Sequence, residues 1–259
     1  MSVPIGASPP LIDPEEFRSW ILFEDERLLT VNKPGLIVCH PSKNGPRSSL
    51  VGAAREYLGL PVVHLIFRLD RETSGVIVLA KDPAVASRLQ KATQRRLIAK
   101  LYLAVLQGDL FDAVTVDQAL GPDLESCVTI RSKVVAADMP GAQAAVTHFE
   151  PVARGGGFTL VRVRPATGRK HQIRAHALWL GHAVVGDKLY GPDEHLYLEF
   201  AQHGWTERHS ALLPLRRQAL HCAEIDLGGA GEPHDFRAPL PAELRDFCRT
   251  RIGVEVDGS

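Results

Sequence analysis

The chain has 259 residues, of which 45% are hydrophobic and 23% charged, and its 30 basic and 30 acidic side chains give a formal net charge of zero. This composition is that of an ordinary soluble globular protein and excludes a disordered or fibrous chain. It lacks the overall positive charge of many nucleic-acid binders, so any such function must rest on local charge.

The cysteines and the N-terminus indicate a reducing, cytoplasmic setting. Cys39, Cys127, Cys222 and Cys248 are scattered without a CxxC pair, so we expect reduced thiols and no zinc site. The N-terminus has no basic start followed by an apolar run, so we expect no signal peptide. The apolar stretches are far shorter than a membrane span.

The first third of the chain predicts short strands and two helices. Residues 1–15 contain four prolines and predict a flexible N-terminal arm. The predicted strands are 20–23, 28–31 and 36–38, and after the apolar, β-branched segment 62–67 a buried strand at 76–80. The predicted helices are 49–58, ended by Gly59, and 84–97, begun by Asp82-Pro83.

The remainder mixes strands and helices without a regular βαβ rhythm. The predicted strands are 100–106, 147–149, 158–163 and 219–227; the predicted helices are 170–180, ended by Gly181, and 241–251. Residues 193–214 are predicted to be irregular. This order favours an α+β fold with a mainly antiparallel mixed sheet, built as one domain over residues 16–252 with a tail at 253–259.

The densest polar cluster is the segment Arg68-Leu69-Asp70-Arg71-Glu72-Thr73-Ser74-Gly75. Nearby guanidinium groups lower the pKa of a carboxylate and keep it ionised, as a nucleophile or base requires. Asp70 is therefore a candidate catalytic carboxylate. An Asp–Arg turn that only caps the strand is compatible with the same residues.

A second cluster, residues 162–176, holds four arginines, a lysine and two histidines. On the predicted helix 170–180, Lys170, His171 and Arg174 share one face. Such a face can bind phosphate, Arg174 can clamp a carboxylate, and a solvated basic surface is also compatible. A third basic stretch consists of Arg88, Lys91, Arg95, Arg96 and Lys100. Metal-binding, nucleotide-binding and nucleophile-elbow motifs are missing from the sequence, so we expect chemistry without metal or cofactor.

These segments resemble, in order, the motifs of the RluA-type RNA pseudouridine synthases. The matching segments are ILFED at 21–25, LLTVNKPG at 28–35, RLDRETSGVIVLAK at 68–81, KLYLAV at 100–105, TGRKHQIRAH at 167–176 with LGH at 180–182, VGD at 185–187 and YG at 190–191, then LHC at 220–222 and FRAPLP at 236–241. An ordered set that covers residues 20–245 is far more specific than any one fragment.

The resemblance implies an enzyme that isomerises uridine in RNA to pseudouridine without a cofactor. It assigns Asp70 as the catalytic aspartate, Tyr102 as the tyrosine that stacks on the target base, and Arg174 as the basic residue paired with the aspartate. The target base must leave its stack, which costs a few kcal/mol, and stacking on an aromatic ring recovers about 1–3 kcal/mol. The substrate-binding residues implied by the same motifs are Arg68, Arg71, Thr73, Ser74, Gly75, Lys100, Arg169, His171 and Gln172.

The resemblance also sets expectations for partners. The partner is RNA, either tRNA or rRNA, with no membrane, no obligate protein partner and a monomeric enzyme. We expect the form of the family that lacks an N-terminal RNA-binding domain. Phe67 stands where the family usually has histidine, and we expect it to alter local packing or RNA contacts.

Two other functions are compatible with parts of the sequence. One is a catalytically silent RNA-binding protein on the same fold, which the intact Asp70, Tyr102 and Arg174 disfavour. The other is a glycoside or nucleoside hydrolase, which usually needs two cooperating carboxylates, whereas the nearest second one, Glu72, is predicted to be structural.

Overall fold

The structure, a computed structural model, describes residues 11–40 and 46–256. Its strands are β1 (Ile21–Glu24), β2 (Leu28–Lys33), β3 (His64–Leu65), β4 (Ser74–Ala80), β5 (Ala99–Gln107), β6 (Val114–Asp117), β7 (Leu120–Pro122), β8 (Ser132–Val134), β9 (Val146–Gly155), β10 (Phe158–Pro165), β11 (Leu220–Asp226) and β12 (Asp235–Arg237). Its α-helices are α1 (Pro14–Ser19), α2 (Leu50–Leu58), α3 (Pro83–Gln94), α4 (Gln172–Trp179), α5 (His195–His203), α6 (Glu207–Leu212) and α7 (Ala242–Phe247), and a π-helical turn follows at Cys248–Ile252.

The described residues form two compact units, each assembled from separate stretches of the chain. The first unit contains residues 11–40, 46–100 and 221–239, and the second contains residues 101–220 and 240–256. The predicted single domain over residues 16–252 stays a prediction.

The first unit is a sheet centred on strand β4. β2 and the short β3 pair with β4 antiparallel, β1 continues beyond β2, and β11 joins the start of β4 in parallel before pairing with β12. All seven residues of β4 are buried, because neighbours cover both of its faces. The predicted strands at 20–23, 28–31 and 76–80 are confirmed.

The helices of the first unit begin at side-chain caps. The Ser49 hydroxyl accepts a hydrogen bond from the Gly52 N–H (3.2 Å), and the left-handed Gly59 (φ 63°) ends α2. The Asp82 carboxylate accepts from Ala84 N–H (2.8 Å) and Val85 N–H (2.9 Å), and Pro83 opens α3. Both predicted helices are confirmed, and α3 ends at Gln94.

The second unit contains the antiparallel strand order β5–β10–β9–β6 and a separate pair, β7–β8. Helix α4 packs Ala175 into a buried cluster with one residue of β7 and four from loops: Leu120, Val128, Ala145, Leu189 and Tyr190. The strands predicted at 100–106, 147–149, 158–163 and 219–227 are confirmed. Together with the parallel pairing of β4 and β11, this confirms an α+β fold with a mainly antiparallel mixed sheet.

Two element predictions were wrong. Residues 36–38 form no strand, because Leu36 adopts a left-handed backbone (φ 71°) incompatible with extension. The segment 193–214, predicted to be irregular, contains α5 and α6. The predicted helix 241–251 is present as α7 and the π-helical turn that follows it.

Helix α4 begins later than predicted. His171 occupies its N-cap position with a left-handed backbone (φ 56°), and Lys170 precedes it. These two residues therefore do not share a helical face with Arg174, as the sequence had suggested.

The structure describes only part of the predicted N-terminal arm and C-terminal tail. Residues 1–10 of the predicted N-terminal arm and residues 257–259 of the predicted tail lie outside the described residues. Within the arm, α1 begins at Pro14 with the Asp13 carboxylate as its cap. Among the helices of residues 11–40 and 46–256, none has the length and apolar character needed to cross a membrane.

Candidate active site

Asp70 lies on a tight turn between an apolar segment and β4. The Thr73 N–H donates to the Asp70 carbonyl (3.1 Å) and closes the turn. Asp70 is half-buried, whereas the neighbouring Arg68 is exposed and forms no ion pair with any residue that the structure describes. The turn thus holds a carboxylate at the surface beside an arginine that is available to a ligand.

A buried lysine ties this turn to the loop that follows β2. The Lys33 ammonium group donates to the carbonyls of Pro34 (2.8 Å), Ile37 (2.9 Å) and Arg71 (3.2 Å). In return, the Arg71 Nε–H donates to the Leu36 carbonyl (3.4 Å). A fully buried ammonium group costs free energy unless it is hydrogen-bonded, so Lys33 fixes both loops together.

The other side of the turn is fixed to strand β11. The Ser74 hydroxyl lies 2.9 Å from His221 Nδ1, and His221 Nε2 lies 3.1 Å from the Ala238 carbonyl. Since that carbonyl can only accept, Nε2 carries the proton and Ser74 donates to Nδ1. Gly75 has a φ of 114°, and a Cβ there would overlap the Cys222 carbonyl, so β4 and β11 approach closely only because residue 75 is glycine.

Lys100 lies against the ring of Phe67, the residue that departs from the family pattern. Its Nζ is 3.8 Å from the ring centroid, a cation–π contact. Burial lowers the pKa of Lys100 to about 8. Phe67 is thus a packing surface for a lysine that is predicted to bind substrate, and its effect relative to the usual histidine stays a prediction.

In the second unit, Arg174 is held by a buried carboxylate. Its Nε donates to Asp187 Oδ2 (2.6 Å) and its Nη2 to Asp187 Oδ1 (2.9 Å). Burial favours the neutral carboxyl, but the charge and hydrogen bonds of Arg174 outweigh it, so the pKa of Asp187 lies below its usual value. The N–H groups of Leu189 and Tyr190 also donate to Asp187 Oδ1.

The ring of Tyr190 packs against the same guanidinium group. The Arg174 guanidinium carbon lies 4.8 Å from the Tyr190 ring centroid. The Tyr190 hydroxyl accepts from the Ser132 N–H (2.9 Å) and lies 3.0 Å from His171 Nδ1. His171 makes this contact from a left-handed backbone conformation at the start of α4.

The remaining predicted site residues also lie in the second unit. Tyr102 is nearly buried on β5, opposite Val163 of β10. The buried Gln172 side chain uses all its hydrogen-bonding capacity on Val146, Thr147, Thr167 and Arg169. It therefore holds the loop before α4, and its substrate-binding role stays a prediction, as does that of the exposed Arg169.

Each unit brings part of the predicted set together. The first unit gathers the Arg68–Gly75 segment, and Lys100 joins it through Phe67. The second unit contains Tyr102, Arg169, His171, Gln172 and Arg174. The pairing of Asp70 with Arg174 stays a prediction.

Sequence reasoning missed four supporting residues: Lys33, Asp187, Tyr190 and His221. Asp187 carried a usable signal, because a lone carboxylate in the apolar run Ala183–Tyr190 requires a buried cation nearby. Lys33 gave a similar signal at the end of the apolar strand β2. Among residues 11–40 and 46–256, no group of three or more potential ligands is arranged to hold a metal ion, and the four cysteines are free thiols.

Comparison with known proteins places this geometry in a family. Residues 27–179 match the family model of the RNA pseudouridylate synthases. The chain is 32% identical over 239 residues to the uncharacterized RNA pseudouridine synthase YhcT of Bacillus subtilis, covering 89% of this chain and 71% of the relative. It is 31% identical over 237 residues to the ribosomal large subunit pseudouridine synthase D of Vibrio vulnificus, covering 89% and 70%.

Solved structures agree on the fold. The human RNA pseudouridylate synthase domain containing 4 superposes with a TM-score of 0.70 at 23% identity, covering 94% of this chain and 97% of that chain. The human RNA pseudouridylate synthase domain containing 1 gives a TM-score of 0.67 at 24% identity, covering 92% and 86%. The chain belongs to the RNA pseudouridylate synthase family, which confirms the RluA-type resemblance and the assignment as an RNA-modifying isomerase.

Proposed function

We propose that this enzyme isomerises specific uridines in structured RNA, with Asp70 as the catalytic carboxylate and without metal or organic cofactor. The observation that carries the proposal is the construction of the Asp70 turn. It is fixed by the buried Lys33 on one side and by the Ser74–His221 hydrogen bond on the other, and it leaves Arg68 exposed beside the carboxylate. A surface turn with two buried anchors is built to hold a reactive group in place.

The reaction needs only groups that the chain supplies. The bond between uracil N1 and the ribose C1′ breaks, the base rotates, and a bond forms between C5 and C1′. C5 loses a proton and N1 gains one, so the RNA keeps its composition and mass. Asp70 either attacks the sugar or assists glycosidic cleavage, and in both roles it must be ionised.

Tyr102 and Arg174 complete the proposed catalytic set. Tyr102 stacks on the flipped base and takes part in proton transfer, and Arg174 pairs with Asp70 and keeps it ionised. The clamp by Asp187 and Tyr190 supports this role, because a guanidinium group fixed on one edge and one face presents its remaining N–H groups in a defined direction.

The proposed substrate is rRNA or tRNA in the cytoplasm. One relative's name specifies the large ribosomal subunit, which supports rRNA. The target uridine lies between phosphates, and the predicted contacts from Arg68, Arg71 and Lys100 suit those groups.

Carbodiimide mapping of pseudouridine in total RNA, from cells with and without the gene, tests the proposal. We expect one or a few sites to disappear on deletion and to return with the wild-type gene but not with Asp70→Asn. Return of the sites with Asp70→Asn would refute the role of Asp70. If no site disappears, assays of the purified enzyme on transcribed RNA separate a redundant paralogue from a silent RNA-binding protein.

A further inference from the structure

The exposed face of α3 borders a cleft whose positive charge the fold does not neutralise. The cleft has a volume of about 500 Å³ and lies entirely within the first unit. Its wall carries Arg88, Lys91 and Arg95, and its floor is apolar, formed by Ala92 and Leu97 beside the loop at Gly229 and Ala230. Arg88 and Lys91 are three residues apart on one face of α3, Arg95 follows as the C-cap residue of that helix, and all three line the cleft.

Only one of the three cations has a partner in the fold. The carboxylate of Glu232 is almost wholly buried and accepts from both Arg88 and Arg27. Burial raises the pKa of Glu232, but the two arginines outweigh it, so that the pKa lies below its usual value. Glu232 therefore already pairs with two cations, and its charge is not available to neutralise Lys91 or Arg95.

Lys91 and Arg95 have no such partner. Neither side chain forms an ion pair or hydrogen bond with any residue in the described part of the chain, and both are exposed. An external anion is the remaining source of neutralisation.

The anion must suit a concave, partly apolar surface near the Asp70 turn. Arg95 precedes Lys100 by five residues, so their Cα atoms are at most about 18 Å apart. Lys100 lies against Phe67, three residues before Asp70. A nucleic-acid strand that rises about 3.4 Å per nucleotide covers this upper limit in about five nucleotides, so one strand can reach both cations. A phosphodiester backbone fits both the charge and the reach, and the apolar floor suits its sugars.

We propose that the cleft beside Lys91 and Arg95 binds phosphates of the substrate RNA several nucleotides away from the target uridine. This inference rests on the proposed function, in that the ligand is the RNA on which the enzyme acts. Such contacts add affinity without reading sequence, and they position the strand.

The test measures binding rather than catalysis, with a fluorescent 30-nucleotide oligouridylate as the probe. The variant Lys91→Gln/Arg95→Gln keeps good helix-forming residues on α3, so it should fold normally, as circular dichroism will show. We expect its dissociation constant at physiological salt to rise roughly 3- to 30-fold. The slope of log affinity against log salt should fall by about 1.4, since each single-strand contact contributes about 0.7.

A matched control removes the same charge elsewhere in the first unit. Arg55→Gln/Arg237→Gln changes two exposed arginines on α2 and β12, and we expect the wild-type salt slope. Equal losses in both double variants would show a net-charge effect and overturn the proposal. So would a wild-type slope in the α3 variant, or a wild-type chain that shows no salt-dependent binding. The assay measures binding and no turnover, so its result can be interpreted even if the proposed chemistry is wrong.

Discussion

Single residues at this site act through the partners that hold them. Arg174 can serve as a fixed cation only because Asp187 and Tyr190 restrain it. Asp70 is fixed in a comparable way, through contacts that Lys33 and Ser74 make around its turn. The sequence motifs supplied the candidate reactive residues, whereas the buried anchors required coordinates, because burial and partner choice are properties of the fold.

The Arg174–Asp187 pair gives the first prediction. Asp187→Asn leaves a buried guanidinium without its counter-charge, which costs about 3–5 kcal/mol of the free energy of unfolding. We expect kcat for pseudouridine formation to fall much more than KM rises, because RNA binding does not depend on Asp187. Urea unfolding and steady-state kinetics on the same preparations measure both effects.

The control for this prediction is the second buried arginine of the same unit. Arg217 donates through Nε and Nη2 to the half-exposed Glu243. Glu243→Gln should lower stability but leave kcat unchanged, and an equal loss of kcat in both variants would show that Asp187 acts only on stability.

In the wild type, the lowered pKa of Asp187 adds stability that is present above about pH 4 and lost as pH falls through the folded-state pKa.

The predicted role of Lys100 in substrate binding gives an expectation for the pH dependence of RNA affinity. Its pKa of about 8 means that the ammonium group loses its proton between about pH 7 and 9, and with it the attraction for phosphate. We expect RNA affinity to weaken across this range in the wild type and to lose that step in Lys100→Met. Fluorescence anisotropy at constant ionic strength measures the effect; a pH step that persists unchanged in Lys100→Met would assign the titration to another group.

At the scale of elements, the sequence predicted best where local and tertiary preferences agree. Gly59 after α2, the Asp82-Pro83 start of α3 and the apolar run of β4 predicted their elements from sequence alone. Helices α5 and α6 were missed because tertiary contacts stabilise them: the buried Lys188 ammonium packs on Phe200 and Trp205 and donates to the Arg216 carbonyl (2.7 Å). The sequence pattern does not show that the ammonium group of Lys188 is buried against aromatic rings.

The junction of β4 and β11 gives the element-scale prediction. Gly75→Ala places a methyl group against the Cys222 carbonyl at a left-handed φ, so the two strands must separate next to Asp70. We expect a loss of at least about 2 kcal/mol in the free energy of unfolding. Gly59→Ala, also left-handed but with open space around it, should cost about 1 kcal/mol, as seen by urea denaturation. Equal costs would argue against a close approach at Gly75.

At the scale of the whole molecule, each unit is assembled from stretches of chain that are separated in the sequence. Residues 221–239 complete the unit begun by residues 11–100, and residues 240–256 return to the other. Composition shifts and linkers in a sequence indicate only domains that are formed by one continuous stretch of chain. Sequence patterns therefore could not predict this organisation. The ordered motifs nevertheless led to the family, because each motif carries residues that the fold or the reaction requires.

The identity of the catalytic carboxylate is tested most directly with purified protein and a transcribed RNA that contains the mapped target. Pseudouridine formation and RNA affinity are measured in parallel for the wild type, Asp70→Asn and, as a nearby carboxylate control, Glu72→Gln. We predict that Asp70→Asn lowers the single-turnover rate at least ~100-fold while its dissociation constant for RNA stays within about threefold of the wild type. Glu72→Gln should remain active. A wild-type rate in Asp70→Asn, or a loss confined to Glu72→Gln, would contradict the assignment of Asp70.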